Sequence, residues 1–434
     1  MKRGFYTIMS AQFFSSLADN ALFVAAVELL RTGGSPEWQR AALVPMFALF
    51  YVVLAPFVGA FADALPKGRV MFISNAIKIV GCVMMLFGSH PLIAYAIVGL
   101  GAAAYSPAKY GILTELLPAS QLVKANGWIE GLTIASIILG VLLGGQLVGR
   151  RLSDLLLGFD FPYLDTGVAT PAEAAIAALI LIYAVAAWFN LRIPHTGVEM
   201  RPLRHTAQTG VLASALALLP DFWACNGRLW RDRLGQISLS TTTLFWGAGG
   251  NLKFIVLAWA AVALGYNTTQ ASALTGVVAI GTAAGAVLAS MRMRLDAATR
   301  VIPMGIAMGV LLVMMVFIHS IWVAVPFLIL LGGLGGFLVV PMNALLQHRG
   351  HNLMGAGRSI AVQNFNEQAA ILGMGAFYSL SLKLGLSVFG AITVFGVVVA
   401  GAMWLIGRWH RHNCCHHTEE VEHLLQIARQ DRLH

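Results

Sequence analysis

The sequence predicts an all-α membrane protein, with twelve transmembrane helices arranged as two six-helix repeats. Three observations carry that expectation: charge is scarce, long apolar segments recur, and a short motif returns at a fixed offset. Of 434 residues, 58% are hydrophobic and only 11% are charged, against about a quarter in soluble domains. So few charges cannot cover a water-exposed surface, and lipid must act as part of the solvent. Segments of about 20 apolar residues cross a hydrocarbon layer of ~30 Å as helices, the form that satisfies backbone amides from within the segment.

In chain order the spans are expected over residues 5–30, 41–62, 70–88, 91–114, 126–149, 173–191, 237–264, 270–291, 301–318, 321–346, 359–382 and 385–407. The first holds Asp19 and Asn20 and lacks a small-residue cleavage site, so it reads as a retained helix rather than a removed leader. Pro303, Ser320 and Gly385 alone punctuate the stretches 301–346 and 359–407. The placement of Lys and Arg orients the set. With the N-terminus inside, twenty of the 28 basic residues fall on the cytoplasmic side and five outside, namely Arg31, Arg40, Arg150, Arg151 and Lys383. Both termini are therefore expected in the cytoplasm. The net charge of +9 is then mostly a topology signal, a basic rim suited to anionic lipid. No folded basic face for nucleic acid is visible. Cys82, Cys225, Cys414 and Cys415 all fall in spans or on the inner side, which leaves no disulfide outside.

The resulting domains are an N-terminal bundle (1–191), a cytoplasmic central loop (192–236), a C-terminal bundle (237–407) and a cytoplasmic tail (408–434). In the central loop, VLASALALLPDFW is expected to lie as an amphipathic helix on the inner membrane face. The halves repeat: Gly99, Leu100, Gly101 and Pro107 return as Gly333, Leu334, Gly335 and Pro341, at an offset of 234. The next helix of each half carries a carboxylate, Glu130 and then Glu367. Two parallel six-helix repeats are the mark of the major facilitator architecture, whose substrate path runs between the halves.

Charge in a span costs at least ~2.5–3.5 kcal/mol at the centre, so each instance needs a reason. Asp19 in SLADNALF and Lys253 in GGNLKFIV lie deep in the first helix of each repeat, also 234 apart. They are expected to form an opposite-charge pair lining the path. For Lys109 and Glu130, near the inner boundary, a path role and a snorkelling or structural role stay open. Lys78, in a third helix, is expected to be structural. GAFADALPKGR places Asp63 at a helix end before Lys67 and Arg69. It resembles the loop of major facilitator transporters between helices two and three, which implies a cytoplasmic gate formed by these three residues. Leu65 and Pro66 depart from that loop's usual pattern. The HNCCHH run at 412–417 is read as disordered polar tail rather than a metal site. No GK[ST] loop, GxSxG, HExxH or His-x4-Asp signature occurs, so neither an ATP-driven pump nor an enzyme has a constellation to stand on. No cofactor or metal is expected.

The stretches AQFFSSLADNALF, APFVGAFADALPKGRV, VGLGAAAYSPAKYGIL, KANGWIEG and LFWGAGGNLKF together resemble the bacterial lysophospholipid transporter family of the major facilitator superfamily. The likeness is dense over residues 8–148 and the seventh helix. It implies a flippase that moves lysophosphatidylethanolamine and lysophosphatidylglycerol from the outer to the inner leaflet of the cytoplasmic membrane. There an acyltransferase/acyl-carrier-protein synthetase would re-acylate them. It also makes Asp19, Asn20, Lys109 and Lys253 path residues, with Glu130 and Glu367 beside them. The family's seventh-helix position is basic, usually Arg; Lys253 keeps the charge without the planar fork. Lys109 would meet a lipid phosphate near the inner face and Lys253 at mid-membrane. The alternatives are a proton-coupled antiporter for drugs or small solutes, in which Asp19 or Glu130 titrates, a non-transporting lipid-binding scaffold, and a membrane-embedded acyltransferase.

Overall fold

The computed structural model describes residues 3–35, 37–158, 167–199, 211–266 and 268–429, and among these every regular element is helical. The first part of the chain forms α1 (Arg3–Thr32), α2 (Glu37–Val53), α3 (Ala55–Ala64), α4 (Lys67–Leu86), α5 (Pro91–Leu116), α6 (Ala119–Leu147), α7 (Arg150–Leu157) and α8 (Pro171–Leu191). Two short helices follow, α9 (Val211–Leu216) and α10 (Leu218–Arg231). Then come α11 (Gly235–Leu264), α12 (Thr268–Arg292), α13 (Ile302–Met314), α14 (Ile321–Met354), α15 (Ala356–Lys383), α16 (Val388–His416) and α17 (Thr418–Arg429).

Among the described residues nine helices are long and apolar enough to cross a membrane, or eleven if each of two bent pairs is one span. The remaining expected span, 359–382, lies on α15, which is 28 residues long but carries Asn364, Asn366 and Glu367 in its interior. Both bends have local causes. α2 and α3 meet at 64° around Leu54, where Pro56 in the first turn of α3 supplies no amide to the preceding helix. α11 bends by 45° between Gly235–Leu252 and Phe254–Leu264. There the Asn251 amide donates to the carbonyls of Gly247 (2.8 Å) and Ile371 (3.0 Å), pulling on the helical ladder beside Gly249 and Gly250. The charge at the start of α8 is also satisfied locally. Thr170 and Glu173 form a capping box ahead of the apolar run, with Pro171 in the first turn.

The chain sorts into two compact units, Met1–Ile112 with Ala135–Asp221, and Leu113–Ile134 with Phe222–His434. This differs from a division at the central loop, because the C-terminal end of α5 and the first half of α6 group with the second unit. In the first unit Leu22, Leu30, Leu43, Val98, Ile176 and Tyr183 pack in one apolar core. Bare helix surfaces let backbones approach, as lipid-embedded packing requires. Gly140 and Gly144 of α6 face the carbonyls of Leu17 and Ala21 on α1, so that an added Cβ would lie 2.6 and 2.7 Å from them. In the second unit a Cβ on Gly281, Gly285, Gly332 or Gly336 would run into the facing backbone where α12 crosses α14. The internal repeat is visible here too: Gly99 abuts Phe47, and at the same offset of 234 Gly333 lies nearest Gly281.

Two expectations about polar segments meet different outcomes. The single amphipathic helix expected over VLASALALLPDFW is instead divided between α9 and the start of α10, and α10 runs on to Arg231 with Phe222, Cys225 and Leu229 buried at helical spacing; residues 200–210 of the loop lie outside the described residues. The HNCCHH run is not a disordered tail but helix. α16 continues to His416, and α17 buries Val421, Leu424 and Ala428. Its ends are tied by Arg233 to Glu420 (3.3 Å) and by Arg429 to Asp296 (3.0 Å). An apolar stripe with charged ends gives this polar segment something to fold onto.

Gly285→Leu is expected to destabilise the protein by about 1–3 kcal/mol through overpacking, read as a lower thermal unfolding midpoint of purified protein. Gly276→Leu on the same helix, where a Cβ has nothing within 4 Å, is expected to leave the midpoint unchanged.

Candidate functional site

Ser15 and Asp19 stand one turn apart on one face of α1. Lys78 on α4 donates to Asp19 Oδ2 at 2.7 Å and to Ser15 Oγ at 2.9 Å. Tyr183 on α8 donates its hydroxyl to Asp19 Oδ1 at 2.6 Å. Ser15 in turn donates to Asn75 Oδ1 at 2.8 Å. The ammonium also lies 5.0 Å from the Tyr105 ring centroid and 5.6 Å from that of Tyr183, so its remaining surface meets aromatic faces rather than hydrocarbon. Room for the lysine stem comes from Gly101 on α5, where an added Cβ would stand 2.7 Å from Lys78 Cγ. The pair is asymmetric: the Lys78 side chain is 2% exposed and that of Asp19 19%. The carboxylate edge therefore remains accessible while its counter-charge is sealed behind it.

The sequence pairs Asp19 with Lys253, whereas the cation found on Asp19 is Lys78. Asp19 takes a cation from its own bundle, and Lys78, expected to be structural, is buried in an ion pair that ties α4 to α1. The physical reason is reach, since a buried carboxylate must be neutralised by a cation already packed against its helix. The side chain of Lys253 lies outside the described residues. Asn20 is half-buried and donates to the Ser16 carbonyl at 2.8 Å. Lys109 is buried, its ammonium 4.1 Å from the Tyr110 ring centroid. Asp63 and Lys67 are brought together at 2.9 Å, with Lys67 also bonding the Ala62 carbonyl at 2.6 Å. Arg69 stays exposed. In the second unit Glu130 and Glu367 are both buried. Gln363 donates to Glu367 Oε1 at 2.8 Å and to Asn343 Oδ1 at 2.9 Å.

Sequence reasoning missed three buried polar pairs at the C-terminal end of α14. Arg349 grips Asp232 through Nε (3.1 Å) and Nη2 (2.6 Å), and Asp232 also holds the Gly235 amide at the start of α11 (2.7 Å). Gln347 and Asn126 exchange both amide bonds at 2.9 and 3.0 Å. His351 bonds Thr114 at 3.1 Å. The last two pairs attach residues 113–134 to the second unit. The only signal for any of them was the presence of polar residues inside apolar runs. Among the described residues no group of three or more His, Cys, Asp and Glu is placed to hold a metal.

Buried charge held inside bundles of long apolar helices marks a multi-pass membrane protein, and comparison with known proteins narrows the class to a transporter. The sequence profile of the Major Facilitator Superfamily matches residues 8–374. Lysophospholipid transporter LplT of Yersinia enterocolitica serotype O:8 is 41% identical over 389 residues, 89% of each chain. LplT of Yersinia pestis (strain Pestoides F) is 40% identical over 386 residues, 89% of this chain and 88% of that one. The human organic anion transporter MFSD10 superposes with a TM-score of 0.68 at 15% identity, over 94% of this chain and all of that one, and so shares the fold. The chain belongs to the lysophospholipid transporter family within the major facilitator superfamily.

Lys78→Met is expected to leave Asp19 as an unpaired buried carboxylate and to cost about 3–5 kcal/mol. The double variant Asp19→Asn with Lys78→Met is expected to recover most of that loss in thermal unfolding of purified protein. Equal destabilisation of the single and double variants would show that the pair does not act as a unit.

Proposed function

We propose that this protein moves lysophospholipids, lysophosphatidylethanolamine and lysophosphatidylglycerol among them, from the outer to the inner leaflet of the bacterial cytoplasmic membrane. Both termini are then cytoplasmic, and an acyltransferase/acyl-carrier-protein synthetase consumes the product. The observation that carries the reading is identity of about 40% over 89% of the chain to transporters named for that substrate.

The geometry of the first unit supports it. A lysophospholipid presents a phosphate, in some cases an ammonium, and one acyl chain. Asp19 offers a carboxylate edge backed by Lys78, so the neutral pair binds a polar head group without leaving a net charge in the bundle when empty. Lys109 supplies a cation for the phosphate, and Lys253, at the bend of α11, a second one. Asn20 adds an amide near Asp19, and Glu130 and Glu367 complete the polar groups along the path. Asp63 and Lys67, already joined, act with Arg69 as the cytoplasmic gate.

Spheroplasts carrying the wild-type protein are expected to take up labelled lysophosphatidylethanolamine. At matched membrane abundance Asp19→Asn and Lys109→Ala are each expected to reduce uptake about tenfold or more, the value of one charge-assisted hydrogen bond at ~1.5–3 kcal/mol. Absence of uptake by well-inserted wild-type protein would remove the lysolipid reading.

A further inference from the structure

The connection between α12 and α13 carries more positive charge than it neutralises. Ala273–Arg292 and Leu295–Phe317 are each long and apolar enough to cross a membrane, so Met293 and Arg294 stand where the chain turns at a membrane surface. From there a 3-10 helix, Leu295–Val301, leads into α13 and buries Leu295, Ala298 and Val301 at its period of three. Asp296 lies in its first turn and is approached by two guanidinium groups. Arg294 Nε stands 3.3 Å from Oδ1, and Arg429 Nε of α17 stands 3.0 Å from Oδ2. The second arginine is brought there by packing, since α17 is seated through Val421, Leu424 and Ala428.

Asp19 and Asp232 are each met by one cation, whereas Asp296 is met by two. The cluster therefore keeps one net positive charge. Its donors are also incompletely used. Arg349 commits both Nε and Nη2 to its carboxylate, but Arg429 donates to Asp296 from Nε. Among the described residues no group accepts from the Nη atoms of Arg294 or Arg429. Their side chains are 78% and 57% exposed. A phosphodiester brings the one negative charge that is missing and the oxygens that a guanidinium fork matches. An apolar surface adjoins: Met291, three residues before Arg294, is 78% exposed. Phosphate beside an apolar contact at a membrane surface is the chemistry of an anionic lipid.

We propose that Arg294 and Arg429, bridged by Asp296, bind the phosphate of an anionic phospholipid that stays with the protein. Asp296 holds the two guanidinium groups at one point, and the lipid phosphate completes the charge balance through their Nη donors. Charge at the α12–α13 connection thereby acts as a particular site rather than only as part of a basic rim. The inference does not rest on the lysophospholipid reading.

The test titrates purified full-length protein in detergent with short-chain phosphatidylglycerol, short-chain phosphatidylcholine or inorganic phosphate, and reads bound ligand by native mass spectrometry. Wild type is expected to bind phosphatidylglycerol and not phosphatidylcholine. Arg294→Ala and Arg429→Ala are each expected to weaken phosphatidylglycerol binding about fivefold, and the double variant about tenfold or more. Asp296→Asn, which removes the internal negative charge, is expected to bind at least as tightly as wild type. Thermal midpoints without lipid, expected to stay at the wild-type value for exposed arginines, show that each variant is folded. Equal affinity for phosphatidylglycerol in wild type and the double variant would overturn the site. Inorganic phosphate bound by the same arginines as tightly as phosphatidylglycerol would make the occupant a soluble anion and overturn the lipid.

Discussion

A charge inside a bundle of lipid-embedded helices has no bulk water to fall back on, and the Lys78–Asp19 pair is where that constraint acts most strongly in this protein. The pair joins α1 to α4, draws in Tyr183 from α8 at 2.6 Å, and needs Gly101 on α5 to leave space for the lysine stem. Four helices are thus registered against one another by a single neutralised dipole. The ammonium side is closed and the carboxylate side is open, so one device holds the bundle together and leaves a polar edge accessible.

The second unit solves the same problem differently. Its polar residues are paired amide to amide or guanidinium to carboxylate at the end of α14, where Gln347 meets Asn126 and Arg349 meets Asp232. Each pair links segments far apart in sequence, and the pairs that reach residues 113–134 explain why that stretch belongs to the second unit. Between these anchors the helices close through glycine faces rather than through apolar burial, because lipid tails reward apolar contact no less than another helix does.

Much of the fold was legible. The span limits followed from apolar length, the break between α13 and α14 from Ser320, and the repeat from two glycines and a proline that return 234 residues later. The candidate site was legible in part. Asp19, Lys78 and Glu367 stood out because ionised groups are rare in spans, and Asp63 and Lys67 because of their spacing around a helix end. Their partners were not. A soluble helix marks its buried face with an apolar stripe, but α1 and α4 are apolar nearly all round, so no periodicity says which face meets which neighbour. Asp19 and Lys253 are symmetric in number, and that symmetry gave no sign that Lys78 holds Asp19. The tail misled for the opposite reason: His and Cys residues look unfoldable until α17 is seen to carry Val421, Leu424 and Ala428 on one face.

By itself, then, the sequence determined that the chain lives in lipid, that its halves are related, and which side chains are too polar to be there without cause. These follow from transfer free energies and helix length, which are local properties of a chain. Only the tertiary structure decided which of those side chains neutralise one another and where the helices touch without side chains between them. Pairing is decided by distances between helices, and helices that are apolar on every face keep no record of those distances in their sequence.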